Sequence, residues 1–224
     1  MTNIKLSKRL KIIAECIDRC DVMYDVGTDH AYLPCYAVAE GLAKKAYAGD
    51  NKPGPLQNAK ENIQQLQLEG RVIPLLADGI GETPELIDTV VISGLGPDTA
   101  LQIMNDSLGR GIKRWIIQVN KGSEQIRSFL SEHHFTILNE RCVRDGYYYQ
   151  IIVFSQEEHA PYSEEEILLG PVLMKNREAD YIDYVQDTVR RYRILKERGS
   201  ERVERPLAIF EEYLSSIHAD QQEQ

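Results

Sequence analysis

The chain has 224 residues, 42% of them hydrophobic and 27% charged, with a net charge of −9. That length holds one large α/β domain, or one sizeable domain with an appendage. The balance excludes fibrous and low-complexity classes and argues mildly against a uniformly basic nucleic-acid binder. No apolar run approaches the roughly 20 residues of a membrane span, and residues 1–10 carry no apolar signal core. Cys16, Cys20, Cys35 and Cys142 form no metal or disulfide pattern. A reducing cytoplasm and no metal are therefore expected. The acidity is uneven. Residues 156–224 hold 9 Lys/Arg against 16 Asp/Glu, whereas residues 1–155 hold 17 against 19. Residues 1–20 even carry a local excess of three positive charges.

In chain order, Ser7 predicts a cap for a helix whose Leu10, Ile13, Ala14 and Ile17 recur at helical spacing. VMYDVG reads as a short buried strand ending at Gly27, followed by a helix through LPCYAVAEGL that Gly41 stops. KAYAGD is a second strand, ending at Asp50, and PLQNAKENIQQLQL a helix stopped by Gly70. VIPLLAD, TVVISGLG and RWIIQVN supply strands three to five; EQIRSFLSEHH is a helix. FTILNERCVRDGYYYQIIVFS reads as two strands joined around Asp145 and Gly146. This alternation predicts a parallel sheet with helices on both faces, and a closing hairpin that adds an antiparallel edge.

In such sheets ligands sit at the carboxyl ends of the strands. Those ends carry Asp25 and Gly27, Asp50 and Asn51, Asp78 and Gly79, Ser93 and Gly94, then Gln118 and Asn120. The tail from Pro161 reads differently. Ile182, Val185, Val189, Tyr192 and Leu195 form one helical stripe; Pro206 begins a second, with Leu207, Phe210, Tyr213, Leu214 and Ile217. A helical hairpin outside the sheet is expected, with residues 1–158 and 159–224 as the two domains. Arg190, Arg191, Arg193, Lys196 and Arg198 lie on its other face, as a solvated surface or as phosphate contacts.

The first turn decides the ligand class. A pyrophosphate at a helix N-terminus wants no anion beside it. Asp29 would stand there, and at an effective dielectric of ~20 two like charges 4 Å apart cost about 4 kcal/mol. NAD and FAD are disfavoured. S-adenosylmethionine carries no phosphate and presents an ammonium, a sulfonium, a ribose diol and an adenine. Gly27 lets the backbone approach the methionine moiety. Asp25 or Asp29 can face the ammonium, Asp50 the ribose hydroxyls, and Asp78 the adenine amino group. Thr28, His30, Asn51, Gly79, Ser93 and Gly94 complete the expected cofactor set.

At these residues the chain resembles the bacterial tRNA (adenine-N1)-methyltransferases that modify adenine 22 of the tRNA D-arm. The resemblance is carried by LSKRL (6–10), DVGTDHAYLP (25–34), AGD and KPGPLQNA (48–59), ADG (77–79), SGLG (93–96), QVN (118–120), VRDGYYYQI (143–151) and LGPVLMKN (169–176). It implies a Rossmann-like, class I methyltransferase sheet with an antiparallel last strand, a C-terminal coiled-coil hairpin, S-adenosylmethionine as cofactor and tRNA as partner. The chain departs from the family's usual GMGG-like motif at Gly94-Leu95-Gly96-Pro97, from its Gln-Pro-Asn at Val119, and from its usual acid at Gln150.

Adenine N1 is a neutral nucleophile once unpaired, so methyl transfer needs positioning and electrostatics rather than a strong base. Asp29 is the expected stabiliser of the migrating positive charge. Asn120, or the backbone at Ser93 and Gly94, would orient the purine, and Tyr32 would stack on it. Asp29 and Asn120 are the catalytic candidates. The competing readings are a non-catalytic S-adenosylmethionine-binding RNA-interacting protein and, less favoured, an NAD-binding Rossmann protein.

Overall fold

The computed structural model describes residues 4–222. Seven strands form one sheet in the order β3-β2-β1-β4-β5-β7-β6. In chain order they are β1 (Cys20–Val26), β2 (Ala43–Asp50), β3 (Val72–Leu76), β4 (Thr89–Leu95), β5 (Arg114–Val119), β6 (Phe135–Asp145) and β7 (Tyr147–Glu158). The first five pair in parallel; β7 runs antiparallel to both β5 and β6. The expected antiparallel strand is therefore present, but it lies inside the sheet and β6 forms the edge.

The strands read as continuous apolar runs because both faces are covered. Met23, Val91 and Ile116 point to one face, against α1 (Lys8–Glu15), α2 (Tyr32–Ala39) and α3 (Pro53–Gln65). Tyr24, Val90, Ile92 and Ile117 point to the other, against α4 (Pro97–Asp106) and α5 (Ser123–Glu132). Ser7 caps α1 as expected, accepting from the Leu10 amide. α3 stops before Gly70, because Gln67 already takes the left-handed turn at φ 56°. Sequence reading assigned no element between β4 and β5, yet α4 lies there, with Pro97 in its first turn, where a missing N–H costs nothing.

Beyond β7 lie α6 (Glu164–Leu169), α7 (Pro171–Asn176), α8 (Ala179–Glu197), a 3-10 turn at Glu201–Val203, and α9 (Glu204–Gln222). The expected long hairpin is α8 with α9; the two short helices were unforeseen. Val185, Val189, Leu207, Phe210, Tyr213 and Ile217 form its core, which also takes in Cys142 of β6. The expected second domain runs to residue 224, two residues past those described.

A buried ion pair joins α5, the hairpin strands and α7. Arg127 and Glu140 are both fully inaccessible, with Nε to Oε1 at 2.7 Å. The other Glu140 oxygen accepts from the amides of Val172 at 2.9 Å and Leu173 at 3.3 Å. Arg127 also donates to Gln150 at 2.6 Å, and Ser123 Oγ donates to the same oxygen at 2.8 Å. Gln150, noted above as a departure from the resembled family's usual acid, is thus a neutral acceptor within a satisfied network. A buried charge pair is tolerated when its remaining hydrogen bonds are filled in this way.

Candidate active site

The carboxyl ends of β1, β2, β4 and β5 meet above the sheet's centre, beside the strand-order reversal between β1 and β4. At β1 the chain leaves the sheet through Gly27, whose φ is +71°, and its amide donates to Gly49 O at 2.9 Å. A Cβ at Gly27 would lie 3.4 Å from Leu95 Cδ2, so the fourth-strand turn walls this one. Asp29 and Ala31 are also left-handed, with φ 50° and 56°. Aspartate tolerates that region better than most residues, which gives Asp29 a conformational reason to be here. Its carboxylate is exposed and lies 3.7 Å from His30 Nε2, while the His30 ring stacks on Tyr32 with centroids 5.4 Å apart.

Asp25 behaves differently. It is 4% exposed, and Thr28 Oγ1 donates to it at 2.7 Å. Burial pushes its carboxyl up to about 7; the Thr28 hydroxyl and Arg9 oppose that rise, and Asp50 adds to it. Among the described residues the carboxylate forms no salt bridge, and a desolvated anion of this kind favours a positive ligand group nearby.

At the end of β2, Asp50 accepts from the Lys52 amide at 2.9 Å. Asn51 Nδ2 donates to Asp78 at 3.2 Å, bridging the ends of β2 and β3, and Gly79 follows at φ +76°. Among the described residues, Asp50 and Asp78 form no ion pair with a lysine or arginine. The expected acids therefore do gather along one rim.

The β4 end is bulged between Ser93 and Leu95, and Gly94 turns left-handed there. Asn120 Nδ2 donates to Gly94 O at 2.8 Å, so Ser93, Gly94 and Asn120 form one unit. Beneath it, fully buried Gln118 accepts through Oε1 from the Gly94 amide at 3.2 Å and from Arg9. Two donors at Oε1 fix the amide orientation and leave buried Nε2 without a partner among the described residues. Val119, between Gln118 and Asn120, pairs with Leu95 of β4.

Arg9 escaped the sequence reading. Helix α1 carries it over the site, its amide donates to Asp145 at 3.0 Å, and its guanidinium lies 5.4 Å from the Tyr149 ring centroid. Its neighbour Lys8 pairs with Asp180 of α8 at 2.8 Å. The local basic excess in residues 1–20 and the LSKRL motif pointed to this segment without giving Arg9 a role. A partner 109 positions away has no local signature.

The strand order, the glycine turn and the row of strand-end acids define a Rossmann-like methyltransferase fold. The comparisons narrow this. The family model for tRNA (adenine(22)-N(1))-methyltransferase matches residues 23–219, and the chain belongs to that family. The tRNA (adenine(22)-N(1))-methyltransferase of Bacillus subtilis is 32% identical over 195 residues, covering 81% of this chain and 80% of that protein. A putative tRNA (m1A22) methyltransferase of Streptococcus pneumoniae, solved in complex with S-adenosyl-L-methionine, superimposes with a TM-score of 0.87 at 27% identity, covering 94% of this chain and 100% of that one. The Mycoplasma capricolum protein TrmK, solved with S-adenosyl-homocysteine, gives a TM-score of 0.84 at 28% identity, with 94% and 98% covered.

Proposed function

We propose that this chain transfers the methyl group of S-adenosylmethionine to N1 of adenine 22 in tRNA. Membership of the family supports the reaction. The structural observation that carries the ligand class is the row of strand-end carboxylates without lysine or arginine partners. A phosphate-bearing dinucleotide would meet like charge there; a sulfonium cofactor meets opposite charge. The NAD-binding reading is thereby left without support.

The residues present fit that cofactor. Gly27 gives the methionine moiety close access to backbone. Buried Asp25, pushed up to about 7 in the free protein, supplies the anion that an ammonium would keep ionised. Asp50 would accept from the ribose hydroxyls. Asp78, held by Asn51, would accept from the adenine amino group, with Thr28, His30 and Gly79 shaping the walls. When bound, the cofactor supplies an electrophilic methyl group beside a positive sulfur.

The chain's own residues then orient the acceptor. The target N1 lies on the Watson–Crick edge and must be unpaired to reach the site. Its lone pair is free, so no side chain has to remove a proton before attack. Asn120, fixed to Gly94 O, would hold the purine. Buried Gln118 would act from beneath, holding the Gly94 amide and Arg9 in place. Asp29 carries a solvent-facing carboxylate on the turn, where it would favour positive charge moving from sulfur towards the purine.

The tRNA is the macromolecular partner in this reading, and the cytoplasm its setting. Among the described residues no helix is long and apolar enough to cross a membrane, and no His/Cys/Asp/Glu group is arranged to hold a metal. Incubating the protein with cofactor and an unmodified tRNA transcript, then digesting the RNA to nucleosides, tests the proposal. One equivalent of 1-methyladenosine is expected; unmethylated tRNA would sink it.

A further inference from the structure

A groove of about 830 Å³ opens beside Asn120, between the β5 end and β6–β7 hairpin on one side and α8 on the other. That volume lies in the upper part of the range of about 300–1,000 Å³ typical of ligand sites. Its walls are unusual in chemistry. The hairpin contributes Tyr147, Tyr148 and Tyr149, and α8 contributes Tyr184 and Tyr192. Tyr147 is 77% exposed at the hairpin tip, where no packing demand explains an aromatic ring.

On α8, Arg191 differs from its neighbours Arg190 and Arg193. Arg190 pairs with Asp187, and Arg193 with Glu211 at 2.7 Å. Those two arginines follow the solvated-surface reading. Arg191 forms no ion pair among the described residues; its guanidinium lies 5.6 Å from the Tyr192 ring centroid. Arg144 is likewise unpaired and lies 5.4 Å from the Tyr148 ring centroid. Lys121, directly after Asn120, is exposed on the same groove. Against these three cations stand Glu124 and the already paired Asp187.

Cations set beside half-buried aromatic rings, with the exposed Tyr147 ring next to them, match single-stranded nucleic acid, where phosphates meet the charges and bases stack on open rings. A protein ligand would not need three uncommitted cations on a chain of net charge −9. A base pulled out for methylation also leaves its flanking nucleotides unstacked, and they need a surface.

We propose that this tyrosine-lined groove holds the unpaired tRNA nucleotides flanking the target adenine, with Arg191, Arg144 and Lys121 on their phosphates and Tyr147 under one base. The inference rests on the tRNA reading above and goes beyond it by assigning the contact surface.

The test uses the full chain, an unmodified tRNA transcript and four variants: Tyr147→Ala, Arg144→Gln, Arg191→Gln and, outside the groove, Arg193→Gln. All four positions are exposed, and unchanged S-adenosylmethionine affinity in calorimetry confirms that each variant is folded. Tyr147→Ala is expected to weaken tRNA binding about tenfold. Arg144→Gln and Arg191→Gln should each lower the slope of log affinity against log salt by about 0.7–0.9. Arg193→Gln should bind as the unaltered protein does. Groove variants within twofold of the unaltered protein, with its salt slope, would overturn the inference; so would an equal loss in Arg193→Gln. Failure of the unaltered protein to methylate tRNA would instead overturn the proposed function, and the binding comparison would still report on the groove.

Discussion

Replacing Asp25 with asparagine should stabilise the free protein at neutral and alkaline pH. The side chain is buried, and burial is the dominant reason its carboxyl rises from 3.8 to about 7. Between those two values the folded chain keeps a proton that the unfolded chain releases. Stability supplied by this group is therefore full below about pH 4, falls as pH rises, and is gone above about pH 7. A shift of roughly three pH units at 1.36 kcal/mol each corresponds to about 4 kcal/mol. Asparagine keeps the acceptor for Thr28 Oγ1 and has no proton to lose. Urea unfolding of both proteins from pH 4 to pH 9 should show their difference growing from near zero to about 4 kcal/mol in favour of Asp25→Asn. A difference that does not change with pH would refute the reasoning. The same variant should bind S-adenosylmethionine more weakly, because the anion destabilising the free fold is the one a cation would compensate.

Asp50→Ala should lose a charge-assisted contact to the ribose diol worth roughly 1.5–3 kcal/mol, read by calorimetry with S-adenosylmethionine; unchanged affinity would remove Asp50 from the site. Asp29→Asn keeps a residue that tolerates φ 50° while removing the charge. Its single-turnover rate should fall at least tenfold, about 1.4 kcal/mol, with cofactor affinity changed less, and a normal rate would make Asp29 a turn residue only. Gly170→Ala should cost at least about 3 kcal/mol in urea unfolding. Its φ is +92°, and the added Cβ would sit 2.7 Å from Arg127 Nη2 and 2.8 Å from Glu140 Oε2. A near-neutral result would show that the buried pair adjusts freely.

The strands and their acidic ends were legible because parallel strands buried on both faces leave long apolar runs closed by polar residues. α4 was passed over, although Ala100, Ile103 and Met104 share one buried face at helical spacing. The Ser163–Glu166 capping box marked α6 in the sequence, and its value as a start signal went unused. The buried pair of Arg127 and Glu140 was illegible: two charges 13 residues apart look like surface until a helix and an edge strand face each other. Arg9 and Tyr147 lay inside quoted motifs, but their surroundings were illegible for the same reason, since each depends on elements far apart in the chain. The basic face of α8 was read as one surface; in the structure Arg190 and Arg193 are paired with Asp187 and Glu211, whereas Arg191 lies on the groove against Tyr192. The tail is also more closely joined to the sheet than its composition suggests, because the amides of Val172 and Leu173 complete Glu140.

The central claim is methyl transfer to one nitrogen of one tRNA base. Mass analysis of nucleosides, with the modified position mapped after incubation with S-adenosylmethionine, measures it directly. The account predicts a single 1-methyladenosine at position 22, absent from a transcript with guanine there. Methylation at another position or atom, or no incorporation by protein that binds the cofactor, would contradict it.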